Sequence, residues 1–241
     1  MVQPRTHIIE KSEKIKISSP TFLIFTTKEI IWMLIFSLIA SFISFIPLIP
    51  TTPSNWITRT SVFLIIILSS VSSKKLISKR YSIKIEHSPW KFQRYWFGNK
   101  DKFKIPIYSG VIFPLFFGFF SLGSIMPFSF LQYDAENLKE KRLLKSRGAE
   151  RRRKDEINEE DLAYTSATGF YILIILAVIG WLIKPAFPTF GYEISKYSIY
   201  YGLWNLIPIS QLDGTKLFFG GRFHWAFIVL IYLLFLPFAI L

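Results

Sequence analysis

The 241-residue chain contains no cysteine. Disulfides, thiolate metal sites and cysteine nucleophiles are therefore excluded together. Histidine is almost as scarce: there are only His7, His87 and His224, separated by 80 and 137 positions. Charge is missing in blocks. None occurs between Glu29 and Arg59, between Lys104 and Asp134, between Asp161 and Lys184, or after Arg222, leaving gaps of 29, 29, 22 and 19 residues. A helix needs roughly 20 apolar residues to cross a hydrocarbon core. Gaps of this length exclude a soluble globular domain, a disordered chain and a secreted disulfide scaffold. Acid is also in short supply: 29 Lys and Arg face 16 Asp and Glu, a net charge of +13. In a soluble protein that excess suggests nucleic acid. In a chain that is 51% apolar it suggests basic loops against anionic lipid, and no nucleic-acid partner is expected.

What is present is a series of apolar segments. Residues 1–29 read as a polar tail rather than a cleavable signal. Ile30–Ile49 reads as a transmembrane helix ended by Pro47, Pro50 and Pro53. A shorter run, dense over Val62–Leu68, turns polar at Ser69, Ser70, Ser72, Ser73, Lys74 and Lys75. Such serines need protein or a wet cavity around them. Residues 82–104 alternate loosely and predict an interfacial β-hairpin or re-entrant loop, with Trp90, Tyr95 and Trp96 at headgroup depth. Ile105–Tyr133 reads as one kinked helix or a broken pair, because Pro114, Gly118, Gly123 and Pro127 interrupt it. Transmembrane helices are thus expected over 30–133, and a charged soluble loop over 134–162. Nine basic and nine acidic residues lie between Asp134 and Asp161, and the run Glu150–Glu156 reads as a solvated face. Ala163–Ile183, the short Tyr197–Ile209 and His224–Leu241 make up a second membrane region, 163–241.

The expected fold is an all-α polytopic membrane protein with about six transmembrane or partly spanning helices and a small β-hairpin or re-entrant loop. It would be integral to the cell membrane and multi-pass, with the lipid bilayer and other membrane proteins as partners. Its orientation poses a problem. The ten Lys and Arg of Lys74–Lys104 and the nine of 134–161 fall on opposite sides if 105–133 crosses once, and on one side if it doubles back. The first loop is expected on the cytoplasmic face.

One motif carries more information than the rest. Asn205-Leu206-Ile207-Pro208-Ile209-Ser210-Gln211-Leu212-Asp213-Gly214 lies between apolar segments. A carboxylate at membrane depth is expensive and marks a functional site by default. Pro208 breaks the helix, Gly214 permits a turn after the acid, and Asn205 can bridge the freed backbone groups.

This stretch, N-L-x-P-x-x-x-L-D-G, resembles the signature of the site-2 proteases, the intramembrane zinc metalloproteases. Lys216–Arg222 looks like the archaeal-type members. Lys75–Tyr81 looks like the segment that follows the family's H-E-x-x-H helix, and Lys104–Ile107 through Phe113-Pro114 looks like the beginning of its next helix. The resemblance implies a site-2 protease-like core over most of 60–241. In the family, two histidines at i and i+4 and the aspartate of L-D-G hold Zn²⁺, and the glutamate acts as general base.

The chain departs from that pattern at the decisive place. The resemblance puts Ser70 at the first histidine, Val71 at the glutamate and Lys74 at the second histidine, while Asp213 keeps the third ligand position. The neighbouring A-G-P pattern is degenerate as Ser166-Ala167-Thr168-Gly169. A pseudoprotease that binds or scaffolds membrane segments of partners is therefore expected, with no cofactor. Two alternatives stand beside it. One is an active peptidase that keeps zinc in a divergent site of Asp213 with Asp134 or His87. The other is a small transporter or channel subunit using Asp213. His87 is expected in an exposed loop and His224 at the interface. If the backbone is retained, Lys74 and Asp213 converge as an ion pair supported by Ser70, Ser73 or Asn205, replacing the metal as a clamp.

Overall fold

The computed structural model describes residues 25–46, 53–81, 83–94, 102–123, 125–137 and 157–240. Helix α1 (Thr27–Ser44) opens where the Thr26 backbone N–H and Oγ1 both donate to the Glu29 carboxylate, each at 2.8 Å. That satisfies the start of the helix from within. Pro47 and Pro50 lie outside the described residues. Helix α2 (Pro53–Arg80) runs 28 residues without a break. The polar turn at Ser69–Lys75 does not end it, because Ser70, Lys74, Lys75 and Ser78 are buried against protein.

Four strands and a short helix follow: β1 (Ile83–Pro89), β2 (Phe92–Arg94), β3 (Lys102–Ile107), α3 (Ser109–Phe120) and β4 (Leu131–Asn137). The expected hairpin is present as β2 against β3. β1 instead pairs antiparallel with β4, from Ile83 opposite Asn137 to Pro89 opposite Leu131. Strand alternation explains the choice. Ile83, Ile85 and His87 are buried on one face, and Lys84 and Glu86 are exposed on the other. Residues 105–133 are thus neither a kinked helix nor a helix pair. Among the described residues of this stretch only Ser109–Phe120 is helical, and Pro127–Tyr133 continues as buried non-helical chain that runs into β4.

Helix α4 (Glu159–Ile183) begins four residues before the apolar run, with Asn158 accepting from the Glu160 N–H. Residues 138–156, including most of the charged loop, lie outside the described residues. α5 (Pro188–Leu206) is 19 residues long, whereas hydropathy found only the part after Tyr197. Its first half carries Glu193, whose charge is met by Arg59 on α2 at 2.7 Å. α6 (Asp213–Gly220) and α7 (Arg222–Ile240) end the described chain.

The fold is mostly helical, and among the described residues three helices (α1, α2 and α4) are long and apolar enough to cross a membrane. α1 and α2 are antiparallel. Arg59 donates to the Ser44 carbonyl at one end (2.8 Å), and Lys75 meets Glu29 at the other (2.5 Å). One core packs Phe36, Phe63, Phe128, Phe130 and Tyr197 between these helices, and a second packs Phe170, Leu217 and Tyr232.

Candidate functional site

The N-L-x-P-x-x-x-L-D-G stretch builds the site through its backbone. Pro208 disfavours helical geometry in the residue before it. Ile207 is accordingly extended (ψ 128°), and α5 stops at Leu206. The chain turns through Ser210, a non-glycine residue at φ 54°. Leu212 is extended, and Asp213 opens α6. Gly214 is dictated by proximity: a Cβ there would lie 2.2 Å from the Leu206 carbonyl oxygen. The end of α5 and the start of α6 can touch only at glycine.

This geometry delivers Asp213 to α2. Lys74 Nζ donates to Asp213 Oδ2 at 2.6 Å, and the two side chains are 3% and 7% exposed. The lysine stem lies along α4, where a Cβ on Gly169 would be 3.1–3.2 Å from its Cγ, Cδ and Cε. Ser70 and Val71 are buried one turn and three residues earlier on α2, with Val71 in the apolar core. The support expected for the pair is arranged differently. Ser73 Oγ donates back to the Ser70 carbonyl. Asn205 Nδ2 donates to the carbonyls of Phe128 (3.0 Å) and Tyr201 (2.7 Å) instead of to Asp213. Asn205 therefore ties α5 to the extended chain that leads into β4.

A second pair, which hydropathy and motif did not reveal, lies beside the first. Glu29 Oε2 accepts from Lys75 Nζ at 2.5 Å, and Oε1 accepts from the His87 backbone N–H at 2.8 Å. His87 is buried and not in an exposed loop. Its Nδ1 is 3.5 Å from Glu29 Oε1, and neither ring nitrogen has a hydrogen-bond partner among the described residues. Burial holds its imidazole down at about 4, so the ring is neutral near pH 7. The signal was in the alternation of β1, which puts His87 on the same face as Ile83 and Ile85. Trp90 is also buried, with its ring edge-on to Phe113 at 5.8 Å. It is not a headgroup anchor. Tyr95 and Trp96 lie outside the described residues.

Tyr133, buried on β4, closes the floor. Its hydroxyl meets Ser166 Oγ at 2.7 Å and donates to the Leu162 carbonyl. Lys216 of α6 covers its ring at 3.2 Å and donates to its carbonyl. Asp134 is exposed on the opposite face of β4 and lines a cavity of about 700 Å³ with Lys84, Glu86, His87 and Lys91. The structure does not bring Asp134 to Asp213. His224 is half-buried on α7, where Nε2 is 2.7 Å from the Tyr171 hydroxyl.

The donors at the aligned ligand positions are a serine hydroxyl, an ammonium and one carboxylate whose Oδ2 already accepts from that ammonium. They do not fit a zinc ion, which takes neutral imidazole, thiolate or carboxylate ligands. No group of three or more His, Asp or Glu side chains that could hold a metal occurs among the described residues.

No protein-family model, no curated protein and no solved structure matches the chain.

Proposed function

We propose that this chain is a multi-pass cell-membrane protein with a site-2 protease-like core that has given up zinc chemistry and binds or scaffolds membrane segments of other proteins. The observation that supports this most is the Lys74–Asp213 contact at 2.6 Å, between the residues at the second-histidine and L-D-G positions of the resemblance. A fixed ammonium there does the geometric work of the metal: it holds α2 against the start of α6. It supplies neither a Lewis acid nor an activated water. Val71, where the resemblance places the general base, is a core residue with no proton to exchange.

Restoring the aligned residues tests the reading. The triple variant Ser70→His, Val71→Glu, Lys74→His should bind about one zinc per chain, the stoichiometry of a complete catalytic site. The parent should bind none and leave reconstituted transmembrane substrates intact. Stoichiometric zinc in the purified parent, or cleavage abolished by a chelator, would defeat the proposal. A second reading, an ion or proton site, is supported by Asp213 Oδ1, which is buried without a hydrogen-bond partner among the described residues. Ion flux into liposomes that vanishes in Asp213→Asn would favour it.

A further inference from the structure

The uncharged stretch between Lys104 and Asp134 is long enough to cross a bilayer, yet its path runs back on itself. α3 has 12 residues, about 18 Å at 1.5 Å per residue, against a hydrocarbon core of about 30 Å. Both ends of the loop that contains it are fastened to one residue. The Gly110 N–H donates to the Trp90 carbonyl at 3.0 Å, and the Trp90 N–H donates to the Phe130 carbonyl at 2.9 Å. Beyond Trp90 the incoming β1 and outgoing β4 run side by side until Ile83 faces Asn137. Chain that arrives at 83 therefore departs at 137 beside it.

Between those points the segment lies along a candidate span. Phe130 stacks on Phe36 in the middle of α1 with centroids 5.3 Å apart. Farther along, a Cβ on Gly118 would be 2.8 Å from Ile43 near the end of α1. The face of α3 turned away from the protein is apolar: Ile112, Phe116, Phe119 and Phe120 are exposed, the last two by 67% and 77%. It continues the exposed apolar face of α1 at Leu34, Leu38 and Phe42. Non-helical backbone at membrane depth must be buried in protein. Pro127–Tyr133 is, with the Phe128 carbonyl accepting from Asn205.

We propose that the charge-free residues 105–133 are a re-entrant insertion that enters and leaves the bilayer on the cytoplasmic face, with the exposed face of α3 covered by lipid acyl chains. This rests on the membrane reading above and goes beyond it. It also removes the charge conflict. α2 ends and α4 begins at the same end of the helices, where Tyr81 stacks on Tyr164. The ten Lys and Arg of 74–104 and the nine of 134–161 then share one face. Near the opposite end the sequence offers only Arg59, within α2, and Lys184, just after α4. Such an asymmetry sets orientation.

The absence of native cysteine makes the test clean. Single variants Lys84→Cys, Glu136→Cys, Glu159→Cys and Lys184→Cys are probed with a membrane-impermeant maleimide in right-side-out and inverted vesicles. Glu136→Cys repeats the Lys84→Cys measurement on the partner strand should that variant not fold. Lys84→Cys, Glu136→Cys and Glu159→Cys should label only in inverted vesicles, and Lys184→Cys only in right-side-out ones. Labelling of the β1 and α4 positions from opposite faces overturns the re-entrant path. The inverse pattern, with Lys184→Cys alone labelled in inverted vesicles, overturns the orientation. Labelling of all four from one face overturns the multi-pass reading itself, which is a distinguishable failure. A fluorophore on Phe120→Cys should be quenched by acyl-chain nitroxides, and quenching by aqueous iodide as complete as at Lys184→Cys overturns the lipid contact of α3.

Discussion

The Lys74–Asp213 pair makes a quantitative prediction. Both side chains are out of solvent, and they meet at 2.6 Å. Lys74→Met keeps an unbranched stem along Gly169 and removes only the charge. It leaves the Asp213 carboxylate with neither oxygen bonded among the described residues, since Oδ1 has no hydrogen-bond partner there even in the parent. Asp213→Leu leaves a buried ammonium instead. Breaking a buried pair from one side costs about 3–5 kcal/mol, whereas replacing both partners by apolar groups of similar volume is often close to neutral. Each single variant should therefore lose about 3–5 kcal/mol, and Lys74→Met/Asp213→Leu should be less damaged than either. The coupling energy should be about 3 kcal/mol or more, measured by reversible unfolding of all four proteins in one detergent. Additivity within about 0.5 kcal/mol would refute the clamp, because independent sites behave that way. So would a double variant weaker than both singles.

Three further outcomes follow from the same packing. The second pair should be lopsided: after Lys75→Met the Glu29 carboxylate keeps three other donors (the Thr26 N–H and hydroxyl and the His87 N–H), whereas Glu29→Leu strips all of them. Glu29→Leu should cost at least 1–2 kcal/mol more than Lys75→Met in the same unfolding assay; equal losses would contradict the network. Gly214→Ala should be severe, because the new Cβ meets backbone at 2.2 Å, while Gly169→Ala meets only a lysine stem at 3.1 Å and should cost roughly 1 kcal/mol, with melting temperature as the measure. For His87 the folded value of about 4 lies below the ordinary 6.5, so between these pH values the unfolded chain binds the extra proton. Stability attributable to His87 is complete above pH 6.5 and falls by up to about 3 kcal/mol as pH drops to 4. His87→Gln should flatten the melting-temperature slope over that window, and an unchanged slope would remove His87 as its source.

The charge-free runs alone determine that this is a helical protein with segments able to cross a bilayer, because hydrocarbon length and the cost of charge are properties of the chain. The motif was equally legible. Pro208 must break a helix and Gly214 must admit a close approach, and the convergence of Lys74 with Asp213 was what the resemblance to the site-2 proteases implied. Tertiary structure decided what local pattern leaves open. Hydropathy shortened α2 and α5 because it scores Lys74, Lys75 and Glu193 as solvated, whereas Asp213, Glu29 and Arg59 neutralise them from other helices. No local signal sends β1 to β4 past the nearer β2 and β3, since strand pairing is a contact between distant segments. His87 belongs to the same class. Its burial depends on α1 packing over β1, where the Glu29 carboxylate takes the backbone N–H, and burial of that kind is fixed only when the elements meet.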